Sequence, residues 1–214
     1  MRRLLALIAG VSIVLLGGFL RVAAAEPPRI VVSIAPLHSL VAAVSAGVST
    51  PTLLVRGAGS PHGHTMRPSD ARALQAADLV IWIGPILEPF LDRALRDPIA
   101  RRRVITLLNE ATITVLPART TDHADDDHGH DEDSSATADP HLWLDPSNAA
   151  AIVALTTRSL AEIDPANETV YRTNAARLTQ RLLALDAALS QTLAPIADAP
   201  FVVLHDAYQY FEHA

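Results

Sequence analysis

Four short aliphatic runs, each separated from the next by a stretch of helical period, restrict this chain more than any other feature. "RIVVSIAP", Arg29 to Pro36, is β-branched and ended by proline, which reads as a buried strand. "LHSLVAAVSAG" then carries apolar residues at helical spacing and stops at Gly47. "TPTLLVRG" reads as a second strand, followed by the loop "GSPHGHTMRPSD". "RPSDARALQAA" starts a helix with either Ser69 as N-cap or Pro68 in the first turn. "DLVIWIG" is a third strand, "PILEPFLDRALRD" a helix with Pro89 near its start, and "RRRVITLLN" a fourth strand. Strands that alternate with helices predict βαβ units and a parallel sheet, so the fold class is α/β.

The alternation then breaks. Residues 117–140, "PARTTDHADDDHGHDEDSSATADP", hold almost no apolar side chain larger than alanine. Such a segment buries too little surface to offset the entropy of ordering, and reads as a flexible acidic loop. It carries His123, His128 and His130, and histidine-rich tracts bind metals weakly. Order returns at "HLWLDPSNAAAIVALTTRSLAEIDP", with a helix from Pro146 to about Ile163 and Asp145 as its cap. The longest helical signal spans 166–195. There Leu178, Leu182, Leu185, Leu189 and Leu193 form one apolar stripe, and about 28 residues span roughly 40 Å. "FVVL", Phe201 to Leu204, then reads as a fresh strand with only ten residues after it, so the chain reads as the N-terminal part of a longer protein.

Totals narrow the function. The chain has 214 residues, 50% hydrophobic and 19% charged, which is ample for a core, and with 4% aromatics that core is aliphatic. A net charge of -6 argues against nucleic acid, and the one basic cluster, Arg101 to Arg103, reads as a solvated helix end. With no cysteine, any metal falls to histidines and carboxylates. At the N-terminus, Arg2 and Arg3, an apolar run from Leu4 to Leu20 and "AAA" at Ala23 to Ala25 have the form of a secretory signal peptide over residues 1–25. Cleavage before Glu26 would give a periplasmic or secreted protein; the alternative is a retained anchor, at the low edge of spanning length.

Nine histidines remain to be placed. His62, His141 and His205 each lie at or just after a short apolar strand or turn, where α/β proteins hold ligands. Three imidazoles from separate loops suit Zn²⁺, and only folding brings them together. His64, one residue beyond His62, is a possible auxiliary ligand or a plain loop histidine. His123, His128 and His130 are possible auxiliary ligands of the acidic loop, His38 a wall residue, and Asp206 a group that orients a histidine or the helix beside it. No HExxH, G-x-S-x-G, P-loop or G-x-G-x-x-G is present. Three histidines and a water are also the ligand set of a zinc hydrolase, but no acid or base partner stands out.

The segments "SPHGHTMRPSDARALQAADLVIWIGP", "HLWLDP" and "VVLHDAYQYFE", with the acidic insert between the first two, resemble the markers of the periplasmic zinc-binding proteins of ABC importers, the ZnuA type of the cluster A-I metal receptors. The resemblance implies two α/β lobes with parallel sheets joined by one long rigid helix, the metal lying between them. On that pattern 26–165 is the N-terminal lobe, 166–195 the linking helix and 196–214 the start of a truncated second lobe. It implies that His62, His141 and His205 bind zinc. Manganese-carrying relatives have a carboxylate in the third place, so His205 favours zinc. Some members place a glutamate just before the first histidine; Pro61 stands there, so that ligand is lost, and others take an aspartate from the second lobe. The implied role is non-catalytic: high-affinity zinc capture and delivery to a membrane permease driven by a cytoplasmic ATPase, by a monomer. A free-standing periplasmic zinc chaperone or buffer, or a receptor for another divalent metal such as manganese, are the alternatives.

Overall fold

The structure is a computed structural model that describes residues 26–57, 59–96, 102–119, 138–197 and 199–213. The expected signal peptide and most of the acidic insert, with His123, His128 and His130, lie outside the described residues.

Four parallel strands form the sheet: β1 (Ile30–Val32), β2 (Thr52–Leu53), β3 (Leu79–Trp82) and β4 (Arg103–Thr106), in the order β2-β1-β3-β4. β1 faces Leu79–Ile81 on one side and Thr52–Leu53 on the other. β2 is shorter than its sequence suggests, but the ladder extends past it: the N–H groups of Leu54 and Val55 donate to the carbonyls of Val32 and Ser33 at 3.0 and 2.9 Å. The order places β2 and β3 on opposite sides of β1, the switch at which open parallel sheets collect ligands beyond the strands' C-terminal ends.

Alternation along the strands explains the three layers. Ile30, Val32, Leu79, Ile81 and Ile83 enter one core cluster, while Val31, Val80 and Trp82 enter another. The first cluster is closed by α1 (Ala35–Ser45), α4 (Pro146–Ile163) and α5 (Glu168–Leu193). The second is closed by α2 (Pro68–Ala76) and α3 (Pro89–Leu95). A sheet covered on both faces needs continuous apolar strands, which is why "LVIW" reads without polar alternation.

Helix starts follow their local chemistry. Pro68 and Pro89 both occupy first-turn positions, where the missing N–H costs nothing. Asp145 caps α4, its side chain accepting from the Ser147 N–H at 2.6 Å, as its sequence predicts. Gly84 carries φ +149°, and a Cβ there would meet Leu108 Cδ1 at 2.9 Å, so the β3–α3 turn needs glycine. Beside it, the fully buried Glu88 accepts from the N–H groups of Ile83 and Gly84 at 3.0 and 2.9 Å. Burial pushes its carboxyl up to about 7 despite these donors.

The leucine stripe divides α5. Tyr171 and Ala175 are buried, and Leu178 and Leu182 pack on the core, whereas Leu183 and Leu185 are 54% and 50% exposed. At its start α5 is tied to α4 by Tyr171, whose hydroxyl donates to Asp164 at 2.7 Å. One expectation fails: Phe201–Leu204 form no strand. No described strand pairs with them, and Val202 and Leu204 are 99% and 107% exposed. A β-branched run without a ladder partner or an apolar surface has nothing to hold it extended in a sheet. A five-residue helix, α6 (Gln209–His213), follows. Among the described residues, no helix is long and apolar enough to cross a membrane.

Candidate metal centre

His62 sits in a single 3₁₀ turn, Pro61–Gly63, in the loop that follows β2. Pro61 opens that turn with its fixed φ, and the imidazole stands exposed. Partial desolvation of the ring, then the proximity of His141 and His205, holds His62 below the ordinary histidine value. The neutral form, the one that ligates metal, is thereby favoured.

His64 points its chemistry elsewhere. Its ring lies edge-on to Phe90, centroids 4.7 Å apart, and its Nε2 is 3.9 Å from a carboxylate oxygen of Asp70. Asp70 is itself committed to the start of α2, accepting the Arg67 N–H at 3.0 Å. His64 is therefore a largely buried packing residue that fastens the loop to α2 and α3, and it stands outside the histidine group.

His141 is buried, at the start of the 3₁₀ turn Leu142–Leu144. Asp139 holds it twice: one carboxylate oxygen accepts the His141 backbone N–H at 2.9 Å and faces Nδ1 at 2.8 Å. A proton on Nδ1 satisfies that contact and leaves the Nε2 lone pair outward. Trp143 lies edge-on to the ring at 5.4 Å. Asn148 of α4 stiffens the turn, bonding both the N–H and the carbonyl of Thr114 and the Leu142 carbonyl.

His205 comes from the irregular segment before α6 and is exposed, yet its Nε2 is 3.2 Å from that of His141. Ring centroids are 5.0 Å apart for His141–His205, 6.5 Å for His62–His141 and 6.4 Å for His62–His205. One ligand nitrogen from each of the three lies within 4.8 Å of the others. Two imidazole nitrogens on one tetrahedral Zn²⁺ are about 3.3 Å apart, since each bond is about 2.0–2.1 Å. The His141–His205 pair already has that spacing, and His62 needs to close by about an ångström or two. A 3.2 Å contact alone also suits an N–H···N hydrogen bond; the third imidazole is what makes the group one that could hold a metal.

The structure thus brings together His62, His141 and His205 and leaves His38 and His64 out. His38 gives its Nε2 to the Pro51 carbonyl at 3.1 Å, tying α1 to β2. Asp206 meets Arg119 at 3.4 Å and no imidazole, so it does not orient a histidine. Two residues went unread in the sequence. Asp139 carried a local signal, a carboxylate two residues before a histidine, the spacing of a side chain that returns to the backbone. Tyr210 carried none, because its partners, Leu116 and Asp139, are 94 and 71 residues away.

The parallel α/β sheet with its long helix is the fold of solved metal-binding receptors. The chain belongs to the family described as zinc-uptake complex component A, periplasmic (ZnuA), whose model matches residues 30–214. It is 37% identical to the high-affinity zinc uptake system protein ZnuA of Brucella abortus and 38% identical to that of Paracoccus denitrificans, in each case over 89% of this chain and 65% of the relative. The chain therefore spans about two thirds of the length of these relatives. Among solved structures it is similar to the periplasmic zinc-binding protein TroA from Treponema pallidum, with a TM-score of 0.74, 24% identity and coverage of 88% of this chain and 64% of that one. The Zn(II)-bound ZnuA-like domain of Streptococcus pneumoniae AdcA gives 0.70 at 20% identity, covering 86% and 62%. These likenesses support the α/β fold with its parallel sheet and long helix.

Proposed function

We propose that this chain captures Zn²⁺ through His62, His141 and His205 and serves as the receptor of a zinc importer in the periplasm. The observation that carries the reading is the convergence of three ligand nitrogens within 4.8 Å from positions 64 and 79 residues apart in sequence. Neutral imidazoles without a carboxylate in the trio suit zinc better than manganese. The zinc relatives' names agree with that choice. The ion is cargo: a receptor must bind it without chemistry and release it. Residues 196–214 begin the second lobe, which would supply or exclude the fourth ligand, and handover goes to a membrane permease coupled to an ATPase. The histidines at 123, 128 and 130 act as weak auxiliary collectors.

Calorimetric zinc titration beside His62→Ala, His141→Ala and His205→Ala tests the site. Each substitution should weaken binding of one equivalent, and near-wild-type affinity in all three would overturn the assignment. Removal of residues 120–137 should abolish only weak additional binding. Zinc-dependent growth of a strain carrying the three-fold alanine variant reads the transport role.

A further inference from the structure

The segment that carries His205 has almost no support of its own. It pairs with no described strand, Val202 and Leu204 face solvent, and α6 is five residues long. What fixes it is Tyr210, 1% exposed. Its hydroxyl accepts the Leu116 N–H at 2.9 Å and donates to the Asp139 carbonyl at 2.8 Å. Around it, Gln209 donates to the Pro117 carbonyl at 3.1 Å, and Arg119 pairs with Glu212 and Asp206. Leu116 and Asp139 are themselves neighbours, joined by the bond from the Asp139 N–H to the Leu116 carbonyl at 2.9 Å and by the Pro117–Ala138 bridge. One hydroxyl thus fastens the helix that follows His205 to the main chain of the very residue whose carboxylate orients His141.

We infer that Tyr210 is a positioning residue of the metal centre: it sets His205 against His141 by locking both histidines to one backbone frame at Leu116 and Asp139. This rests on the reading that the trio holds zinc. Without the hydroxyl, the Leu116 N–H and Asp139 carbonyl lose a shared partner, and the His205 segment gains freedom that the metal must remove at each binding event. The ring itself fills core space, so the conservative change is the informative one.

The experiment is zinc titration of wild type, Tyr210→Phe, His205→Ala and the double variant, with the cobalt-substituted absorption spectrum of each. Tyr210→Phe should weaken zinc binding about 10-fold, within the range known for groups that orient ligands, and shift the cobalt spectrum. In the His205→Ala background the same change should cost less than about 2-fold, since the ligand it positions is gone. Gln209→Ala, a half-buried polar truncation outside the apolar core, should show the same His205 dependence at smaller size. If His205→Ala binds like wild type, His205 is not a ligand and the inference fails with it. If His205→Ala weakens binding but Tyr210→Phe stays within about 2-fold of wild type, or costs the same in both backgrounds, Tyr210 is only a core residue and the inference fails.

Discussion

His141 and His205 meet at 3.2 Å but are held in opposite ways. His141 is buried, doubly bonded by Asp139, flanked by Trp143 and backed by the Asn148 bridge to Thr114. His205 is exposed, and its stretch of chain lacks regular structure until α6. In the proposed centre, then, the ligand positions are not equally rigid. A preorganised imidazole fixes where the ion sits, and looser ones close upon it, so ligand contributions should follow support rather than ligand identity.

The largest effect should come from the rigid side. His141→Ala should cost more than about 100-fold in zinc affinity, exceeding the usual effect of losing an orienting partner, and more than His205→Ala does. Equal losses measured by competition with a chelator would break the comparison. Asp139→Ala should cost about 10- to 100-fold while leaving the ligands in place, and Asp139→Asn less, because its carbonyl oxygen still accepts from His141.

Acid should act next. Protons compete with metal at imidazoles, whose ordinary value is about 6.5, so affinity should fall at least about 10-fold from pH 7.5 to 5.5. His62, held lower by partial burial and its two neighbours, should stay neutral below the ordinary histidine value; titration of its ring signals by NMR reads this directly. Equal affinity at pH 5 and 7.5 would contradict the site.

Glu88 separates the stability of the body from the metal centre. Its folded value of about 7 lies above the 4.5 of an ordinary glutamate, so the neutral acid is favoured by folding. That contribution is complete below pH 4.5 and is lost as pH rises through 7. Glu88→Gln should therefore stabilise the protein at pH 8 by on the order of 2 kcal/mol relative to its effect at pH 4, in urea unfolding of the metal-free protein. No such pH trend would place the carboxylate in a wetter setting. The smallest effect should be at the loose side: Val202→Ser should change stability by less than about 0.5 kcal/mol, because its side chain is already in water. A larger loss would mean that Phe201–Leu204 pack against something.

Much of the body was legible. "LVIW", the proline-started helices, the Asp145 cap and the span of α4 follow from periodicity and local capping, which are nearest-neighbour effects. The strand expected at Phe201 was not, because a strand exists only with a partner. In the candidate site, the three converging histidines were readable as residue types in the right kind of loop, while His64 was not distinguishable from His62. Only the packing of its ring on Phe90 and beside Asp70 removes it.

By itself, then, the sequence determined the element order, the aliphatic two-faced core, the absence of thiolates from these residues and the histidines that are candidate ligands. These are properties of residue type and spacing. Tertiary structure alone decided which histidines converge, that Asp139 orients one of them and that Tyr210 ties another to the same frame. Those depend on groups far apart in the chain meeting within hydrogen-bond reach, and no local pattern encodes such a meeting.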